Sequence, residues 1–208
     1  MAQENGPATA PAAAKLIEIV YGSWAGQILR QVAEMGLADR FGDGPRDADD
    51  LCADYGMHAP SFRRFLRTLC SLGVVAEAGP DRYRLTEMGE ALKSGAPGAA
   101  RATMIALTGR LFGPCWDNMD HALRTGKTGF EKHYGLGLFD YLRDAPGMAE
   151  LFSETMVGFH AAEPPAVAEA YDFSRIGSLA DIGGASGSML GHILARHPQV
   201  RGVLFDLP

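Results

Sequence analysis

The feature that most constrains the fold is the glycine-rich stretch LADIGGASG at residues 179–187. An apolar run ends in Asp181 and passes directly into the glycines, and an apolar stripe at helical spacing follows over residues 189–194. A second apolar run, Val203–Phe205, ends in Asp206. A strand, a glycine turn, a helix and a second strand in this order predict one βαβ unit of a parallel α/β fold.

The same stretch predicts a site for a nucleotide-like ligand. Glycines allow a tight turn and let a ligand approach the backbone and the start of the helix. Asp206, 19 residues after Gly187, is placed at a strand end to accept hydrogen bonds from ribose hydroxyls. A P-loop would need a lysine after its last glycine, the pattern GxGxxG fails at Ala185 and Ser188, and the nucleophile elbow GxSxG fails at Ser188. We therefore interpret Ser186 as a turn residue.

The first half of the chain predicts a helical arm followed by a winged helix. An apolar stripe indicates a helix over residues 15–36, which Gly36 ends. A short helix is predicted at 47–55, and a second one opens at Pro60, where an early proline is tolerated. Two short strands flank the turn at 79–81, and a further helix follows.

A winged helix indicates either a DNA reader or a structural dimerisation module. Arg63, Arg64 and Arg67 share one face of the second helix and would suit phosphates. However, residues 39–90 contain ten acidic and seven basic residues, and the whole chain has a formal charge of -6. DNA-binding domains are usually basic, so the charge favours the dimerisation module over a winged-helix regulator.

Composition indicates a cytosolic, non-membrane protein without a structural metal. Cys52, Cys70 and Cys115 are odd in number and form no CxxC pair, which predicts neither a disulfide framework nor a zinc site. No apolar run approaches the roughly 18 residues of a membrane span. Residues 1–14, rich in alanine and proline, predict a flexible leader rather than a signal peptide.

Several segments together resemble a known family. The sequence DIGGASG, followed by a helix and VLFDLP, resembles motif I and the second strand of S-adenosylmethionine-dependent O-methyltransferases of the plant caffeate and bacterial polyketide type. The stretch SFRRFLRTLCSLGVV…YRLTEMGEAL resembles that family's dimerisation domain. Trp116…LRTG…FEKHYGLGLFDYL…FSETM also resembles the family, so the similarity covers about residues 15–208.

The resemblance implies a particular order of domains. We expect a flexible leader (1–14), a mainly α arm and winged-helix dimerisation domain (15–98), a helical cap (99–165), and the first βαβ of a Rossmann-like S-adenosylmethionine-binding domain (166–208). A doubly wound domain needs more than two parallel strands. The family's further strands, with the adenine contacts and the catalytic base, are therefore expected beyond Pro208, which would make the α/β domain incomplete in this chain.

The resemblance also implies roles for individual residues. The glycine loop would hold the methionine part of S-adenosylmethionine, Asp206 would hold the ribose, and Asp181 would support the loop; the loop glycines are Gly183, Gly184 and Gly187. Ala185 departs from the family's usual glycine, and its methyl group is expected to crowd the cofactor.

Two residues of the cap are implied to lie near the cofactor. Met156 would lie near the sulfonium, and His160 near the cofactor carboxylate, although a structural role fits that histidine equally. The cap contains many aromatic and methionine residues at helical spacing. We expect most of these side chains to pack in the core and a few of them to line a pocket for a flat apolar ligand. The substrate-pocket candidates are Trp116, Phe152 and Met156.

The resemblance implies methyl transfer from S-adenosylmethionine to a hydroxyl, of the phenolic kind, on a small aromatic or polyketide product. It also implies a homodimer. None of the six histidines lies where the family's base is expected. Two alternatives stay open at this point. One is a non-catalytic or split subunit that needs a second polypeptide, and the other is the winged-helix DNA-binding regulator.

Overall fold

The computed structural model describes residues 11–206, and its N-terminal part is a long helix followed by a small α/β unit. The elements are α1 (Pro11–Met35), α2 (Leu37–Arg40), β1 (Arg46–Asp47), α3 (Ala48–Asp54), α4 (Ala59–Ser71), β2 (Val75–Glu77), β3 (Arg82–Leu85) and α5 (Glu87–Glu90). The three strands form an antiparallel sheet in the order β1-β3-β2. The helix–helix–hairpin order that the sequence predicts for residues 47–92 is therefore present.

Local signals set the ends of these helices. Asp47 caps α3 by accepting a hydrogen bond from the Asp49 N–H at 2.9 Å. Pro60 lies in the first turn of α4, where no backbone donor is lost. Gly36, which the sequence predicts as the end of α1, has a left-handed φ of 63° that few other residues adopt.

The first helix begins earlier than the sequence indicates. It starts at Pro11, inside the stretch 1–14 that was expected to be a flexible leader. Three alanines follow this proline, and alanine has the highest helix propensity, so the helix extends back to residue 11. Residues 1–10 of the expected leader lie outside the described residues.

The middle of the chain is helical throughout, as the sequence predicts. Its elements are α6 (Ala100–Thr108), a 3-10 helix (Gly113–Asn118), α7 (Met119–Thr125), α8 (Gly129–Tyr134), α9 (Leu138–Arg143), α10 (Pro146–Phe159) and α11 (Glu163–Ala170). Helix α6 packs against both α1 and α10, so it joins the N-terminal part to the cap. Helix α11 runs across residue 165, so the expected domain boundary at this position falls inside a helix.

The C-terminal part contains the predicted βαβ unit. It consists of β4 (Ser178–Ile182), α12 (Ser188–Arg196) and β5 (Arg201–Phe205). The strands are parallel, with Ala180 opposite Val203 and Ile182 opposite Phe205. Helix α12 packs against α11. Within the described residues the sheet face carrying Ile182 and Phe205 is open, because these side chains are 72% and 61% exposed.

Candidate functional site

The glycine loop between β4 and α12 is held by backbone hydrogen bonds. The N–H of Gly183 donates to the carbonyl of Phe205 at 2.8 Å, which ties the start of the loop to the end of β5. The N–H of Gly187 donates to the carbonyl of Gly184 at 2.7 Å. Gly183 and Gly187 have φ values of 74° and 75°, in the left-handed region that favours glycine. The loop is therefore a defined turn whose shape depends on these glycines.

Gly184 is required for a different reason, which is the lack of space beneath the loop. A Cβ at this position would lie 2.4 Å from Cγ of Asp181 and 2.6 Å from Cδ1 of Leu204. The Oδ2 atom of Asp181 is buried and has no hydrogen-bond partner among the described residues. Since buried acceptors are normally paired, Oδ2 of Asp181 is an unsatisfied acceptor that lies directly beneath the loop.

Asp206 follows the second strand and lies beside the loop. The N–H of Ala185 donates to Oδ2 of Asp206 at 2.6 Å, and this bond joins residues 21 positions apart. Ala185 has a φ of 45°, so it adopts the left-handed conformation although it is not glycine. Its side chain is exposed at the loop surface.

An apolar cavity of about 430 Å³ opens in the helical cap. It is lined by Leu107, Phe112, Cys115, Trp116, Met119, Ala122, Gly129 and Met156. Two of the three substrate-pocket candidates, Trp116 and Met156, lie in this lining. The third, Phe152, is absent from the lining and instead packs its ring 6.2 Å from that of Phe112.

Most of the lining residues have no sequence signal that marks them as pocket residues. Phe112 and Met119 belong to the set of apolar residues at helical spacing, but spacing does not separate wall residues from core residues. Gly129 shows why: a Cβ on it would lie 2.4 Å from the carbonyl oxygen of Cys115, so it allows α8 to approach the 3-10 helix. This contact between α8 and the 3-10 helix shapes the cavity. A local sequence pattern cannot predict it.

The cavity wall carries no charged side chain among the described residues. Burial raises the pKa of the Cys115 thiol, which therefore stays protonated at neutral pH. Its sulfur hydrogen bonds to the carbonyl of Leu111 at 3.6 Å. A protonated, already bonded thiol is a poor nucleophile, so this wall favours binding of an apolar ligand rather than covalent chemistry.

The side chain of His160 contacts a carboxylate at the protein surface. Its Nδ1 lies 2.9 Å from Oε2 of Glu163, and both side chains are exposed. Its backbone N–H donates to the carbonyl of Met156 at 3.1 Å and closes the last turn of α10. The contact between His160 and a cofactor carboxylate stays a prediction. Among residues 11–206, no histidine lines the apolar cavity.

The loop residues fit the cofactor that the resemblance implies. Asp181 offers an unsatisfied buried oxygen, and Gly184 fills a place where any Cβ would overlap its neighbours. Nothing lies within 4 Å of the position that a Cβ on Gly183 would take, so a ligand can approach the backbone there. In the described part of the chain no three His, Cys, Asp or Glu side chains are grouped to hold a metal ion. Over residues 11–206, every helix is too short or too polar to span a lipid bilayer.

Two family models match consecutive parts of the chain. The O-methyltransferase dimerisation domain matches residues 17–95, and the O-methyltransferase domain matches residues 116–208. The first contains most of α1 and the small α/β unit, and the second contains the apolar cavity wall from Trp116 onward and the glycine loop. The fold is thus a dimerisation domain followed by a methyltransferase domain.

Individual relatives agree with these matches. The phenazine O-methyltransferase PhzM of Lysobacter antibioticus is 35% identical over 208 residues, covering 100% of this chain and 61% of the relative. The crystal structure of LaPhzM superposes with a TM-score of 0.87 at 36% identity, covering 96% of this chain and 60% of that one.

A third comparison is an O-methyltransferase from neocarzinostatin biosynthesis, solved with S-adenosylmethionine and 2-hydroxy-5-methyl naphthoic acid. It has a TM-score of 0.69 and 27% identity and covers 88% of this chain and 57% of its own. The chain thus spans about three fifths of the length of these relatives. The two family models together match residues 17–95 and 116–208, which is most of the chain, so the chain belongs to the O-methyltransferase family.

Proposed function

We propose that this chain binds S-adenosylmethionine at the glycine loop and serves methyl transfer to a hydroxyl on a small aromatic natural product. The observation that carries the proposal is the juxtaposition of the loop with two carboxylates. Asp181 supplies a buried oxygen without a partner, and Asp206 is bonded to the loop itself. Carboxylates at the ends of parallel strands are typical partners of ribose hydroxyls.

The roles of the loop residues follow from their surroundings. Gly183 and Gly187 hold the turn in a left-handed conformation, and Gly184 lets it lie directly on Asp181 and Leu204. In our proposal the methionine part of the cofactor lies against this backbone, and Asp206 accepts hydrogen bonds from the ribose. The open space above Gly183 supports this placement.

The apolar cavity is proposed as the wall of the substrate site. When bound, the cofactor supplies a methyl group already activated by the sulfonium, so the protein acts chiefly by holding the reactants together. Trp116 and Met156 would contact the faces and edges of a flat ring, which aromatic and thioether groups do well. Phe152 would support the cavity wall indirectly, because its ring packs against the ring of Phe112. We assign no general base within residues 11–206.

We further propose that two copies of the chain form a homodimer through the N-terminal part. The first half of α1 exposes a row of large apolar side chains: Leu16, Ile17, Ile19, Val20, Tyr21 and Trp24. Monomeric proteins rarely leave such a continuous patch in water. The match to a dimerisation domain supports a second copy as the partner. We interpret α3, α4 and the β2–β3 hairpin as a winged helix that forms part of the dimerisation domain.

The activity is tested with methyl-labelled S-adenosylmethionine and a panel of phenols, in parallel with calorimetric binding of S-adenosylhomocysteine. Binding together with label transfer to a phenol is the expected result. Binding without transfer would favour the non-catalytic or split-subunit alternative, in which a second polypeptide is required. Failure of the folded chain to bind S-adenosylhomocysteine at millimolar concentration would overturn the cofactor assignment.

A further inference from the structure

We infer that Ala185 is a positioning residue that couples Asp206 to the conformation of the glycine loop. This inference rests on the proposed cofactor site and adds a second role for Asp206. Besides accepting hydrogen bonds from a ribose, the carboxylate would stabilise the loop conformation in the ligand-free protein. The observation that carries it is the 2.6 Å hydrogen bond from the Ala185 N–H to Oδ2 of Asp206.

Two neighbouring hydrogen bonds join the loop to the same strand end. The Gly183 N–H donates to the carbonyl of Phe205, and the Ala185 N–H donates to the side chain of the next residue, Asp206. The first bond continues the pairing of β4 with β5 and involves only backbone atoms. The second depends on one side chain, so the central part of the loop is fixed by the carboxylate of Asp206.

Ala185 needs such a restraint because its backbone conformation is unfavourable for alanine. Its φ of 45° brings Cβ close to the following carbonyl oxygen, a contact that glycine avoids. The side chain is exposed, so packing contributes little to holding it. A return to negative φ would rotate the adjoining peptide planes and turn this N–H away from Asp206. The charge-assisted hydrogen bond therefore opposes the relaxation of the loop.

Loss of the Asp206 carboxylate should consequently have two effects on cofactor binding. The ribose loses its acceptor, and Ala185 relaxes, so that binding must restore the left-handed turn. A glycine at position 185 adopts this turn without the Cβ contact, so only the first effect remains. The extra cost of a left-handed alanine corresponds to about a fivefold loss of affinity.

The experiment is a double-mutant cycle on S-adenosylhomocysteine binding, measured calorimetrically for the original chain, A185G, D206A and A185G/D206A. We expect D206A to weaken binding about fivefold more in the alanine background than in the glycine background. A185G supplies the reference affinity in the glycine background, so the effect of removing the Ala185 methyl group itself cancels from the comparison. An equal penalty for D206A in both backgrounds would overturn the inference.

A second measurement needs no cofactor. Amide hydrogen exchange at residue 185, followed by NMR in the free protein, should be slowed by the bond to Asp206. D206A should remove this protection, whereas D206N should keep most of it, because the asparagine oxygen still accepts from the N–H. Unchanged protection in D206A would contradict the inference even if the chain bound no cofactor.

A matched control for both measurements is D172A. The Oδ1 atom of Asp172 accepts from the Ser174 N–H at 2.9 Å, which is the same kind of bond in a loop ahead of β4. This variant should leave the exchange at residue 185 and the affinity for S-adenosylhomocysteine unchanged. A comparable loss in D172A and D206A would mean that the effect reports general loosening of the C-terminal part.

Discussion

Ser94 donates both its backbone N–H and its hydroxyl to the carboxylate of Asp39, at 2.8 and 2.7 Å, across 55 residues of sequence. The contact ties α2 to the segment after α5 and closes the small α/β unit. Burial by itself raises the pKa of Asp39, but the two hydrogen bonds from Ser94 and the charges of Arg101 and Lys93 outweigh it. The net effect lowers the pKa of Asp39.

This lowered pKa makes part of the folding stability depend on pH. The folded state binds the proton on Asp39 less readily than the unfolded state does, so the contact stabilises the fold above the unfolded pKa of about 3.9. The contribution is lost as the pH falls through the lower pKa of the folded state. We expect S94A to lower the free energy of unfolding at pH 7 and to have a smaller effect near pH 3, measured by urea titration.

The control for this prediction is S71A. The hydroxyl of Ser71 in the original chain donates to the carbonyl of Arg67, an uncharged acceptor, at 3.2 Å. The effect of S71A should be the same at both pH values. A pH-independent effect of S94A would show that the Asp39 contact does not carry the charge dependence.

The second prediction concerns the apolar half of α1. Leu16 and Ile19 are 67% and 74% exposed in the single chain, so charged replacements there do not disturb its own core. We expect L16E/I19E to shift the protein from twice the chain mass to the mass of one chain, measured by light scattering after gel filtration. L123E, at another exposed leucine on α7, should leave the dimer intact. A monomeric original chain would contradict the proposed dimer.

The third prediction tests the cavity wall. Met156 lines the cavity, whereas its neighbour Val157 is exposed on α10 and absent from the lining. In a W24F background Trp116 is the single tryptophan, and its fluorescence reports the binding of 1-naphthol. M156A should weaken this binding about fivefold through lost apolar contact, and V157A should not. Equal effects of the two variants would argue that the ring binds elsewhere.

The fourth prediction concerns the arginines that would suit DNA phosphates. The guanidinium of Arg63 donates to the Asp49 carboxylate at 2.7 Å, so its charge is already partly neutralised within the domain. We expect no salt-dependent binding of a fluorescent DNA duplex at low ionic strength, measured by anisotropy. Binding that weakens steeply with salt and is lost in R64E/R67E would revive the regulator alternative.

Much of the fold follows from local signals in the sequence. The glycine loop, α12 and the second strand are predicted because turn glycines and apolar periodicity lie within about thirty residues of each other. The ends of α1 and α3 are likewise set by residues beside them, Gly36 and Asp47. Strand β1 is different: it has only two residues and exists because Arg46 and Asp47 pair with β3. Such a strand has no local pattern of its own.

The site could be predicted only in part, because its residues are brought together by contacts between distant elements. Trp116 and Met156 meet in one cavity although they are forty residues apart, and the wall between them is completed by Phe112 and Met119. Phe152 carries the same kind of side chain at similar spacing but packs behind the wall. The bond that holds Ala185 to Asp206 also depends on how two strands are paired. These outcomes are decided by packing between elements.

The central claim is that the glycine loop binds the cofactor, and one pair of variants tests it directly. Gly183 and Gly135 have the same φ of 74°, and a Cβ on either would meet nothing within 4 Å, but Gly135 ends α8 in the cap. G183A and G135A should therefore lower the melting temperature to a similar extent.

The measurement is the calorimetric dissociation constant for S-adenosylhomocysteine in these two variants and the original chain. We predict that G183A weakens binding at least tenfold, because its methyl group occupies the space that the cofactor needs, and that G135A binds like the original. Equal affinities in all three proteins would contradict the placement of the cofactor on this loop.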